Sequence, residues 1–206
     1  MKKNQKNKKI LIIIFIFILT IILGIIFSKN MIKNSKNGNN MSSQEIVDYI
    51  LNLNYYKSTV TINVNSNKNN NKYILKQEFN LENGCTQEVI EPANIAGVKI
   101  TKKDGNLVIE NSSLDLSKIF ENYNELEENF LDLSSFINDY KNYDKSNFEE
   151  KENIIIMRTK NNTNNKYIQN KTLYINKENK KPYKLIIEDN NKNVTVNIEY
   201  NEIELN

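Results

Sequence analysis

The sequence has no histidine and no tryptophan, and only one cysteine, two prolines and five glycines in 206 residues. Without histidine, Ser-His and Cys-His nucleophile arrangements, histidine metal sites and the commonest general base are all excluded. A single cysteine, Cys85, rules out an intrachain disulfide and a thiolate metal cluster. It lies in Asn83-Gly84-Cys85-Thr86, which reads as a turn, so a small semi-apolar turn residue is the expectation there. The few glycines match no phosphate-binding loop. Glu127/Glu128 and Glu149/Glu150 are adjacent carboxylates in charge-rich stretches. Neighbours in sequence do not share a helix face, so these pairs are poor acid–base candidates. No catalytic constellation remains, and neither a cofactor nor a metal site is expected.

Charge of one sign is also scarce where it would matter. Five of the 28 basic residues lie in residues 1–27, which hold no acid, leaving 23 basic against 25 acidic residues and a net charge of −2 for the remainder. The bulk of the chain therefore lacks the clustered basic face of a nucleic-acid binder.

Only one long apolar run is present. Ile10 to Phe27 is broken in character only by Thr20 and Gly24. At about 1.5 Å per residue it matches the thickness of a bilayer's hydrocarbon core. Lys2, Lys3, Lys6, Lys8 and Lys9 precede it, which places the N-terminus in the cytoplasm and the remainder outside the membrane. The competing reading is a cleaved signal peptide. Its apolar region is usually shorter, about 7–15 residues, and ends at a small-x-small site that Phe27-Ser28-Lys29-Asn30 does not offer. The expected organisation is a basic segment over 1–9, an anchor over 10–27, a flexible linker over 28–41 and one domain over 42–206.

That domain opens on Ser42-x-x-Glu45, a capping box, followed by Ile46, Val47, Ile50 and Leu51 on one helical face. Alternation in Val60/Ile62/Val64 predicts a half-buried strand, and 73–79 and 87–90 predict two more. Pro92 marks a strand end, because it cannot donate to a ladder. Asp104-Gly105 between apolar runs at 95–101 and 107–110 is a hairpin signal. Leu116, Ile119, Phe120 and Tyr123, and again Leu133, Phe136, Ile137 and Tyr140, fall at helical spacing, predicting two short amphipathic helices with acidic outer faces. Strands over 154–159, 167–176, 183–188 and 194–200 close the chain. The fold class read from these patterns is α+β, a β-rich domain behind a membrane anchor.

The order of strand, Pro92 corner, Asp104-Gly105 hairpin and helical run resembles the LolA/LolB-like lipoprotein-carrier fold. So does the ending, where Leu173-Tyr174-Ile175-Asn176, Pro182-Tyr183-Lys184-Leu185 and Val194 to Tyr200-Asn201 form a meander. In wording it is similar to the GerS-type germination lipoproteins of clostridia. The resemblance implies an open antiparallel sheet, a half-barrel, with short helices on its concave face. It also implies a non-catalytic protein in the space where spore cortex is built, or at the cell surface. There it would bind and activate a CwlD-type N-acetylmuramoyl-L-alanine amidase, any zinc sitting in the partner. The sequence departs from that family at the anchor: Ile22-Leu23-Gly24 would suit a lipobox, but Ile25 stands where the lipidated cysteine is required. The fold alone suggests a second role, holding a lipid or lipoprotein in an apolar groove or sensing the envelope. Phe120, Tyr123, Phe130, Phe136 and Tyr140 are the candidate partner contacts, since aromatics favour interface centres, although each also suits a core. An open sheet with exposed edges also admits a homodimer by strand exchange.

Overall fold

The computed structural model describes residues 41–66, 69–121, 131–161, 165 and 167–206. The anchor expected at 10–27 and most of the expected linker lie outside the described residues, and among those described no helix is long and apolar enough to cross a membrane.

Ser42–Asn206 forms one compact unit that begins at a helix cap. Ser42 Oγ accepts from the Glu45 amide at 3.2 Å, and the Ser42 amide donates to Glu45 Oε2 at 2.7 Å, the reciprocal pair the sequence predicts. The helix so started, α1 (Ser43–Leu51), buries Ile46, Val47 and Ile50. Six strands follow: β1 (Tyr55–Asn65), β2 (Asn70–Asn80), β3 (Gly84–Glu91), β4 (Val98–Lys103), β5 (Asn106–Asn111) and β6 (Leu116–Phe120). After α2 (Leu133–Asn142) come β7 (Asn147–Lys151), β8 (Ile154–Lys160), β9 (Asn170–Asn176), β10 (Lys181–Glu188) and β11 (Val194–Leu205).

All eleven strands form one sheet in the order β6-β5-β4-β3-β2-β1-β11-β10-β9-β8-β7, with β6 and β7 at its open edges. Every pairing is antiparallel. The two wings meet where β1 pairs with β11, and the Tyr55 and Asn206 backbones exchange hydrogen bonds of 3.3 and 3.1 Å at that seam.

Side-chain alternation gives the sheet one buried face. One cross-strand row runs Tyr56, Phe79, Cys85, Lys102, Leu107 and Phe120. A row in the other wing runs Ile62, Ile198, Leu185, Leu173, Met157 and Phe148. Ile198, Leu185, Leu173 and Met157 are almost wholly removed from water, and each such side chain contributes about 1.5–3 kcal/mol. Leu133, Phe136 and Ile137 of α2 are buried, α2 packs on β8, and α1 touches α2. The open antiparallel sheet with short helices packed on it is the architecture the sequence leads one to expect; among the described residues it carries two such helices.

Three expectations need correction. The predicted helix through Leu116, Ile119 and Phe120 is the edge strand β6, whose residues pair with β5 from Leu107↔Phe120 to Asn111↔Leu116. The apolar residues there match a helical stripe only because an edge strand exposed on both faces shows no clean period of two. β7, which the sequence reading omits, is the opposite edge and holds a single apolar residue, Phe148. Cys85 is no turn residue. The turn ends at Asn83, and Gly84 opens β3 with φ +77°, where an added Cβ would lie 2.0 Å from the Lys102 carbonyl oxygen. Cys85 is thereby turned into the core.

The Asp104-Gly105 turn is as read: both residues have positive φ, +50° and +74°, the type I′ geometry that suits the twist of a hairpin. Pro92 directly follows the last residue of β3.

Candidate partner-binding surface

Asp132 precedes α2 and caps it: its Oδ1 accepts from the Ser135 amide and from Ser134 Oγ, both at 2.7 Å. Its Oδ2 accepts from Cys85 Sγ at 3.2 Å. A carboxylate only 2% exposed is thus held by three donors at a helix N-terminus, where the backbone dipole favours negative charge. Nearby, Gln77 Nε2 donates to the Leu131 carbonyl at 2.9 Å, tying the approach to α2 onto β2. The hydroxyls of Tyr56 and Tyr200 are buried nearby, and among the described residues that of Tyr200 has no hydrogen-bond partner.

Burial pushes the Cys85 thiol well above the ordinary thiol range, and the neighbouring Asp132 charge adds to that effect. Burial, then Asp132, likewise raises the Tyr56 and Tyr200 hydroxyls. Cys85 is therefore held as a thiol, the opposite of the depressed pKa a reactive cysteine needs. In the unfolded chain a thiol ionises near ~8.5 and a tyrosine near ~10. Because the folded values are higher, the contribution of these groups is complete below the unfolded values and is lost as pH rises past them. The melting temperature is expected to fall from about pH 8.5 upward, and Cys85→Ala should flatten the portion between about pH 8.5 and 10. A wild-type melting temperature that stays level from pH 8 to 11 would refute this account. Among the described residues no three His, Cys, Asp or Glu side chains are grouped to hold a metal ion.

Of the candidate contact residues that are described, Phe136 and Tyr140 adjoin on α2 and Phe120 lies on β6. Phe136 is fully buried and presents no surface. Tyr140 is half-buried, its ring 5.9 Å from that of Phe136, and its hydroxyl is pushed up by burial and by the Asp48 charge. Phe120 ends β6, half-buried, with Lys118 Nζ 4.7 Å above its ring. Tyr123 and Phe130 lie outside the described residues.

Three exposed aliphatic residues lie together in sequence around β6, while others, such as Leu81, stand elsewhere. Leu114, Leu116 and Ile119 are 72%, 50% and 61% exposed. A cleft of about 450 Å³ beside them is lined by Glu88, Lys99, Glu110 and Asp115, among others. Periodicity hides this surface, because it places these aliphatics on a helix face turned inward. At the far edge, β7 is charged and its charges are matched. Glu149 meets Arg158 at 2.7 Å and Lys151 at 3.2 Å, and Glu150 meets Lys177 at 2.5 Å and Ser43. These partners hold both carboxyls below the usual carboxylate range.

The fold is shared with solved structures. A chain in the complex of the CwlD amidase with the GerS lipoprotein from Clostridioides difficile matches with TM-score 0.52 and 21% identity, over 78% of this chain and 92% of that one. An uncharacterised conserved protein from Thermus thermophilus matches with TM-score 0.52 and 11% identity, over 81% and 88% of the two chains. A LolA superfamily protein from Nitrosomonas europaea is more distant, with TM-score 0.43 and 12% identity over 81% and 94%. No curated protein sequence matches. The model of the family described as sporulation protein YdcC-like matches residues 7–206, and the chain belongs to that family.

Proposed function

We propose that this sporulation-related protein is a non-catalytic, membrane-tethered regulator that binds and activates a cell-wall amidase of the CwlD type during cortex modification. The observation that carries the reading is the shared fold, over 78% of this chain, with a chain of the CwlD–GerS complex. Membership of a sporulation family is consistent with a role in the same process. The apolar run at 10–27 would supply the tether, with the folded unit on the outer side of the membrane. In this role the protein acts by stoichiometric contact, so it needs a surface rather than a catalytic residue.

Co-expression of the full-length chain with the CwlD-type amidase of the same organism tests the reading. The expected result is a complex that survives size-exclusion chromatography and an amidase more active on cortex peptidoglycan than when expressed alone. Two folded proteins that elute apart, with unchanged amidase activity, would overturn it.

A further inference from the structure

We infer that the free edge of β6 takes up an extended segment of a partner protein, one whose side chains on the outer face of the sheet alternate between basic and aliphatic. The two edges of the sheet differ in a way that marks only one of them for pairing. An edge strand offers unpaired N–H and C=O groups, and proteins usually blunt it with charge or proline. β7 is blunted: three of its five residues, Glu149, Glu150 and Lys151, are charged, and all three are engaged in ion pairs. β6 has no proline and a single charge, Lys118, which is folded over the Phe120 ring. Among the described residues, β6 pairs with β5 alone and ends the sheet.

The chemistry of the incoming strand follows from the rows it would extend. On the outer face, Glu88 pairs with Lys99, Lys99 with Glu110 and Glu110 with Ser117. That row ends in an acid, Glu110, followed by a serine too short to shield it. Asp115 adds a second carboxylate to the same cleft. A lysine or arginine facing Ser117 reaches across it to Glu110, and opposite charges on neighbouring strands attract. Two residues along β6, the next outer-face row ends in Val108 and Ile119. There an aliphatic residue covers Ile119, which is otherwise 61% exposed. The added strand thus carries a basic and an aliphatic residue two positions apart, and alternate side chains are what give specificity when a strand adds to a sheet edge.

A second copy of this chain fits the edge poorly. Antiparallel self-pairing centred on β6 sets Lys118 opposite Lys118, and like charges directly opposed are destabilising.

The test uses the full-length chain and a short synthetic peptide with lysine and isoleucine alternating on one strand face and threonine on the other. A control peptide carries glutamate in place of lysine. Fluorescence anisotropy should show the lysine peptide binding, with affinity lowered by about tenfold or more in Ile119→Lys and in Glu110→Lys. The glutamate peptide should bind at least about tenfold more weakly than the lysine peptide. Both substituted positions are solvent-exposed; Ile119→Lys should keep the wild-type melting temperature, and Glu110→Lys, which sets a lysine opposite Lys99, is assayed at a temperature where its own melting curve shows it folded. Three outcomes overturn the inference: no peptide binding, equal affinity for both peptides, or equal affinity of wild type and variants. Sedimentation that reveals a dimer abolished by Ile119→Lys would also overturn it, by assigning the edge to a second copy. The experiment needs no amidase, so its failure and that of the functional reading above are separate results.

Discussion

Lys171→Met is expected to lower the unfolding free energy by about 3 kcal/mol, the lower end of the range for breaking a buried ion pair. The lysine side chain is 1% exposed, its Nζ 2.5 Å from Asp139 Oδ2, and it donates to Ser135 Oγ at 2.9 Å. It stands on β9, in the inner row between Thr159 and Ile187, and reaches up to two residues of α2. Removing the cation leaves the Asp139 carboxylate, only 15% exposed, without its counter-charge, and that desolvated charge carries most of the cost. The double variant Lys171→Met/Asp139→Leu removes both charges and should recover much of the loss, because a well-packed apolar pair often matches a buried ion pair. Urea denaturation of the three proteins decides the matter. A double variant as unstable as Lys171→Met would show that lost packing, not an orphaned charge, accounts for the effect.

This pair also shows where a linear reading of the chain stops. Lys171 stands in a strand pattern at a position that ought to be apolar, and Asp139 looks like one more acid on a solvated helix face. Neither signal has meaning until the topology lays α2 across β9. The same holds for Cys85 and Asp132, which are 47 positions apart and meet only because β3 passes beneath the start of α2. Signals contained within a few residues fared better. The Ser42/Glu45 capping box and the Asp104-Gly105 turn rest on local backbone geometry, and both stand as read. Asp132 had a local signal too, an acid directly before a helical run with serines two and three positions on, and it was a readable cap.

The surface was harder to read than the core. A buried strand such as β9 alternates cleanly, because one face is dry and the other wet. β6 has both faces largely exposed, so its aliphatic residues answer to no core and mimic a helical stripe. An interaction surface often departs from the pattern that burial imposes, and that departure hides it from periodicity arguments. The exposed Leu114, Leu116 and Ile119 can be recognised as unusual only once β5 is known to pair on one side and nothing described on the other.

Phe136→Ala should cost about 3–5 kcal/mol, comparable with or larger than the Lys171 effect, because a fully buried ring is removed. Phe136 lies in α2 between the buried Leu133 and Ile137, against the half-buried Tyr140, so the loss undermines the seating of the helix on the sheet. For a domain stable by about 5–15 kcal/mol this is a large share, and a lowered urea midpoint at unchanged slope would register it. The prediction bears on function because Phe136 is an aromatic that sequence alone makes a candidate contact. If it is core, partner affinity per folded molecule should be unchanged in Phe136→Ala under conditions where the variant remains folded. Ile119→Lys should do the reverse, leaving the urea midpoint in place while weakening capture of an incoming strand. A Phe136→Ala protein with wild-type stability and lost partner binding would return the contact surface to α2 and remove the case for β6.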